Sequence, residues 1–202
     1  MTDPKVASAD HDVLDVIRRR WSPRAFDASR GVARGDLLRL FEAARWAPSS
    51  DNEQPWRFVV AERGRDDAHA RLVACLAAGN QPWASNAPLL MLVCASAKFG
   101  KDGSPNRHAW HDCGLAVGGL TAQAIALDLW VHQMAGFDPA KARAAFGVPE
   151  GFEPVSVLAL GYYGDPATLP ENRRPQELEA RSRKPLSEIA FEGAWGSGWN
   201  AD

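Results

Sequence analysis

At 202 residues the chain is long enough for one sizeable core or for a compact protomer of a dimer. A net charge of −2 and a pI near 6.2 leave no global basic field, which sets nucleic acid aside as a partner. The N-terminus is polar with no apolar signal core, and no apolar run reaches the roughly 18 residues needed to cross a bilayer, so a cytoplasmic protein without a membrane partner is expected. Cys75, Cys94 and Cys113 are scattered and odd in number, and read as reduced core residues rather than a disulfide frame. The eight tryptophans suit an aromatic-lined interface or ligand surface as well as ordinary core filling.

The apolar positions Val13, Leu14, Val16 and Ile17 predict a helix ending in Arg18, Arg19 and Arg20. A second helix is expected over Asp36–Ala47, stopped by Pro48. Trp56–Ala61 reads as a strand. Asp66–Ala78 reads as a helix closed by Gly79 and Asn80. The continuous apolar run Pro88–Ala95 has strand length, Arg107–Leu129 reads as one long helix, and Trp130–Met134 as a short strand. Pro139–Phe146 predicts a helix closed by Gly147, and Pro154–Tyr163 a further strand. After Gly164 the chain turns polar and rich in proline. No repeat or linker divides it. The expected organisation is a flexible tail over 1–10, one domain over 11–190 and a C-terminal tail over 191–202. Alternating helices and strands favour a central sheet covered on both faces.

Within the long helix Gly114, Gly118, Ala122 and Ala126 recur every four residues. Such a row lets another helix backbone approach closely, either in a dimer core or against the protomer's own sheet. Interior glycines cost about 1 kcal/mol each against alanine, so Gly114, Gly118 and Gly119 need a reason. His108, His111 and Cys113 invite a metal reading, but Cys113 falls off the face the histidines share and no second cluster completes a ligand set. Cys113 with His111 lacks the third group that would orient a nucleophile pair. No glycine-rich nucleotide fingerprint occurs.

The string Pro48-Ser49-Ser50-Asp51-Asn52-Glu53-Gln54-Pro55-Trp56 joins a predicted helix to a predicted strand, a common place for a cofactor. Its two serines and asparagine supply hydrogen-bonding groups, and its two prolines stiffen the ends. Two arginine clusters lie far apart in sequence, Arg18–Arg24 and Arg181–Arg183. Guanidinium forks match phosphate oxygens, although each cluster taken alone also fits a solvated face.

Together these strings resemble the FMN-dependent nitroreductase family, over about Ile17 to Ile189. The P-S-S-x-N-x-Q-P-W loop, the R-x-S-x-R run Arg20, Ser22 and Arg24 with Phe26-Asp27 behind it, and the R-x-R pair Arg181 and Arg183 fall in the family's order. The resemblance implies an α+β fold, a nitroreductase-like, mostly antiparallel central sheet flanked by helices, with extended termini in a homodimer. It implies FMN as cofactor and NAD(P)H as reductant, with nitroaromatics, quinones or related small acceptors reduced in ping-pong order. Arg20, Arg181 and Arg183 are then expected on the phosphate, with Ser22 and Arg24 reaching phosphate and ring-edge atoms. Pro48, Ser49, Ser50 and Asn52 are expected beside the flavin ring, from the neighbouring subunit. Gln133, Met134, Ala135 and Gly136 occupy the backbone segment that the family runs along the flavin. Trp83 or Trp110 could wall the ring face or serve as core. The same scaffold also serves dehalogenation or dehydrogenation, and a non-catalytic flavin-binding dimer is the remaining reading. The chain departs from the family pattern at Trp21, where Arg or His is common, at Asp51, where a small or neutral residue is usual, and at Ala135, where some members have Glu. The segment Lys98–Asn106 is also short.

Overall fold

The computed structural model describes residues 5–199. Four strands form one antiparallel sheet in the order β1-β2-β4-β3, with β1 at Trp56–Glu62, β2 at Leu89–Ser96, β3 at Trp130–Met134 and β4 at Phe152–Gly161. The unbroken apolar run of β2 follows from its central place, which buries both of its faces. Leu89, Met91, Val93 and Ala95 point to one side, where they pack with α2 (Arg34–Arg45) and α5 (Ala109–Ala126). Leu90, Leu92 and Cys94 point to the other, where α3 (Ala68–Cys75), α4 (Gln81–Ala84) and α6 (Pro139–Phe146) cover them. Pro154 is accommodated in β4 where the β2–β4 register slips, between Val93 and Cys94.

Local signals set α6 in full. Asp138 caps it by accepting from Lys141 N at 2.9 Å, Pro139 occupies the first turn, and Gly147 closes it in the left-handed region at φ 61°. The helix expected over Asp66–Ala78 is cut to Ala68–Cys75 because Leu76 leaves it to pair with Phe137, while Ala77 N donates to Gly136 O. Two short helices begin and end the scaffold, α1 at Asp15–Arg19 and α7 at Arg174–Leu178. The polar stretch after Gly164 gave no sign of α7.

The N-terminal end is tied to the body of the fold, and the C-terminal end folds on itself. Lys5 is buried against the Trp21 ring, its ammonium donates to Gln176 O at 3.0 Å, and Ala7 N donates to Arg18 O. Near the C-terminus Phe191 pairs with Gly198 and Trp199 N donates to Ala190 O. Residues 1–4 and 200–202 of the two expected tails lie outside the described residues.

Candidate functional site

The Arg20–Ala25 stretch leaves the end of α1 as a loop held from three sides. Arg20 Nη1 donates to Ser22 Oγ at 3.3 Å. Beneath it, His132 of β3 donates from Nδ1 to Pro23 O at 2.8 Å, because a carbonyl can only accept. From the C-terminal segment Glu177 Oε1 accepts from Arg24 N at 2.8 Å and Ala25 N at 2.9 Å. The Arg181 guanidinium donates to the carbonyls of Arg18 and Arg20. Trp21 is buried and meets Tyr163 edge to face, with centroids 5.2 Å apart, so it is core.

Burial lowers the Arg20 pKa and the Arg183 charge lowers it further. A guanidinium beside a hydroxyl, within range of a second cation, is a donor set suited to an anion. Arg181 contacts backbone carbonyls, and the Arg24 guanidinium lies 4.0 Å from Glu177 Oε2. Arg20 thus stands beside Ser22, and Arg181 and Arg24 make their contacts around the same stretch of chain.

The Pro48–Gln54 loop bears the greatest backbone strain. Asp51, Asn52 and Gln54 all have positive φ, between 51° and 55°, a conformation costly to residues other than glycine. Several ties hold it. Ser50 N donates to Asp112 Oδ2 at 3.0 Å, Gln54 N to Ser49 Oγ at 3.0 Å, and Gly100 N to Glu53 Oε1 at 2.9 Å. Lys101 Nζ meets Asp51 Oδ2 at 2.5 Å. The short segment 98–106 is therefore a buttress for the loop.

At the end of β3, Met134 is buried while Gln133 and Ala135 are exposed. Gly136 O accepts from Ala77 N and from Asn80 Nδ2 at 3.1 Å. A Cβ at Gly136 would stand 2.9 Å from Asn80 Nδ2, so close packing on the α3–α4 turn requires glycine there.

The Pro48–Gln54 loop and the start of the Arg20–Ala25 loop attach at opposite ends of α5. The former is tied to Asp112 in the first turns of α5, whereas Arg19 Nη2 meets Asp128 Oδ1 at 2.5 Å just past the other end. At 1.5 Å per residue those ends are about 24 Å apart. Along α5 between them Gly114, Gly118, Ala122 and Ala126 are exposed, and a Cβ on either glycine would meet nothing within 4 Å. Gly119 differs, since a Cβ there would approach Ala43 O to 2.9 Å where α2 crosses.

The remaining candidates resolve by burial. Trp83 is fully buried between Phe26 and His132, whereas Trp110 is half exposed on the first turn of α5. Cys113 is buried, and burial pushes its thiol up to about 12. His111 Nδ1 lies 3.1 Å from Asp112 Oδ1. Among the described residues no group of three His, Cys, Asp or Glu could hold a metal ion.

The sequence model of the nitroreductase family matches residues 17–162. The chain belongs to the nitroreductase family. It is similar to an uncharacterized 15.4 kDa protein of Mycolicibacterium smegmatis, 40% identical over 148 residues, 70% of this chain and 98% of that one. An oxygen-insensitive NAD(P)H nitroreductase of Salmonella typhimurium is 26% identical over 213 residues, 82% of this chain and 97% of the relative. Among solved structures, an oxidoreductase containing FMN superposes with a TM-score of 0.89 at 33% identity, covering 96% of this chain and 98% of the other. A nitroreductase family protein of Clostridium difficile gives 0.70 at 26% identity, with coverages of 91% and 99%.

Sequence reasoning within this nitroreductase-family chain missed Asp112, His132, Glu177 and Lys101. Asp112 had a visible signal, a lone carboxylate in an apolar helix. The other three had none, because each reaches the site only through folding.

Proposed function

We propose that the protein is an FMN-dependent oxidoreductase that uses NAD(P)H to reduce nitroaromatics, quinones or related acceptors, working as a cytoplasmic homodimer. The observation that carries this reading is the half-buried Arg20 guanidinium beside Ser22 Oγ, within range of the charge of the exposed Arg183 from the distant second motif. That donor set fits a phosphate monoester. Arg20, Ser22 and Arg183 would hold the phosphate, with Arg181 fixing the loop and Arg24 beside it. The bound cofactor would supply two-electron chemistry, taking hydride from the reductant and passing electrons to the acceptor. Ser49, Ser50 and Asn52 would orient the ring with hydrogen bonds, and Gln133–Gly136 would line it with backbone.

The separation of the two tied ends of α5 supports the homodimer. The midpoint of the Gly114–Ala126 row is residue 120, and so is the midpoint of Asp112 and Asp128. Two copies of α5 packed antiparallel through that row would set the loop end of one level with the arginine end of the other. Among the described residues no helix is long and apolar enough to cross a membrane.

The purified protein is expected to bind one FMN per protomer and to bleach on anaerobic addition of NADH or NADPH. Arg20→Ala and Arg183→Ala are each expected to weaken FMN by about 1.5–3 kcal/mol, the scale of a lost charged hydrogen bond. Unchanged affinity in both variants rules out the phosphate assignment. A yellow protein inert to both reductants would instead be a non-catalytic flavin binder.

A further inference from the structure

Glu177 is an expensive residue for its position. Its side chain is wholly buried. One oxygen, Oε1, receives the two consecutive amides of Arg24 and Ala25. The other, Oε2, has no hydrogen-bond partner among the described residues and faces the Arg24 guanidinium at 4.0 Å. A carboxylate taken out of water is costly unless its partners need it, and an apolar side chain of similar size would fill the same space more cheaply. The charge therefore needs a use beyond packing.

Its surroundings supply one. Four residues further on, Arg181 of the same segment donates to the carbonyls of Arg18 and Arg20. An acid thus holds the amides on one side of the Arg20–Ser22 turn, and a base holds the carbonyls on the other. His132 supports Pro23 O between them. Arg20 reaches Ser22 Oγ within this turn, so the placing of both groups depends on a backbone held rigid from each side.

We infer that Glu177 is a positioning residue for the anion site: it touches no ligand, and it fixes the 24–25 backbone and the Arg24 guanidinium so that Arg20 and Ser22 stay in place to meet an anion together with Arg183. This rests on the proposal that those three residues hold the FMN phosphate.

The test compares FMN with riboflavin, which lacks the phosphate, by quenching of flavin fluorescence on titration with apoprotein. Glu177→Gln keeps the shape and removes the charge. The expected result is a loss of FMN affinity of tenfold or more, with riboflavin affinity changed much less, so that the preference for FMN collapses. A role confined to general stability would weaken both flavins alike, and that outcome overturns the inference, as does wild-type FMN affinity in a folded variant. If Glu177→Gln does not fold by circular dichroism, Glu177→Asp carries the same test, since it keeps the charge and withdraws it by one methylene from the two amides. Failure of the underlying reading looks different: the wild-type protein itself would then show no preference for FMN over riboflavin, before any variant is compared.

Discussion

Asp51 brings a carboxylate into the Pro48–Gln54 loop, and Lys101 meets it at 2.5 Å with both side chains exposed. The hydrogen bond to Asp51 raises the Lys101 pKa, so the two charges largely offset each other at neutral pH. Under the proposed function the pair stands near the mouth of the flavin site. Asp51→Asn then leaves an unpaired ammonium there, and the kcat/KM ratio of a carboxylated nitroaromatic to its neutral analogue should rise, by about tenfold or less because exposed charges are screened. Lys101→Gln should lower the same ratio. Ratios unchanged in both variants at low ionic strength would leave the pair a tie for the loop and nothing more. His132 gives a second residue-scale prediction. Burial lowers its pKa to about 4, and the Arg24 charge adds to this against the Pro23 hydrogen bond. The unfolded chain takes up that proton near pH 6.5, so between these values the unfolded state binds more protons. The stability contributed by neutral His132 is present above pH 6.5 and is lost as pH falls towards 4. Urea unfolding should show about 2 kcal/mol of stability lost between pH 7 and 5 that a His132→Gln variant does not lose. Parallel pH profiles for the two proteins would contradict this account.

Helix α5 separates its glycines by function. Gly119 lies where α2 crosses, and the Ala43 carbonyl leaves no room for a methyl group. Gly119→Ala should therefore cost about 1–3 kcal/mol of stability by forcing the helices apart, despite the better helix propensity of alanine. Gly114 and Gly118 face open space in the protomer and belong to the row proposed for the dimer seam. A Gly119→Ala protein as stable as the wild type in a denaturant titration would mean that the α2–α5 crossing is looser than 2.9 Å implies. The other elements differ in how far local signals governed them. Helix α6 and strand β3 end where the sequence reading puts them, because cap, proline and glycine act within a few residues. Helix α3 ends early because Leu76 finds a partner in Phe137, 61 residues away, and no local rule anticipates that pairing.

For the molecule as a whole, the open face of α5 and the 24 Å between its two tied ends make the strongest demand. Under the proposed function, antiparallel packing of two α5 helices would bring Ser49, Ser50 and Asn52 of one copy to the anion site of the other. Gly118→Leu places a large side chain in the middle of the small-residue row, and should yield a monomer that binds no FMN. Sedimentation and flavin content together check it. A monomeric wild-type protein that retains FMN would remove the dimer from the proposal, and a dimeric Gly118→Leu protein would move the interface elsewhere.

By itself the sequence determined the four strands and the longer helices, the buried cysteines, the two arginine motifs and the polar loop. These are local patterns of periodicity, capping and residue type, which survive without knowledge of the fold. A shared role for the two arginine clusters was legible only through family resemblance, since each cluster alone fits a solvated face. The tertiary structure added contacts that no local pattern announces: Arg181 donates to backbone carbonyls, and Arg24 faces a buried carboxylate. It also decided that Trp21 and Trp83 are core and that Asp51 has a counter-charge. Side-chain partnership at long sequence separation depends on packing energies summed over the whole chain, and no short window of residues contains them.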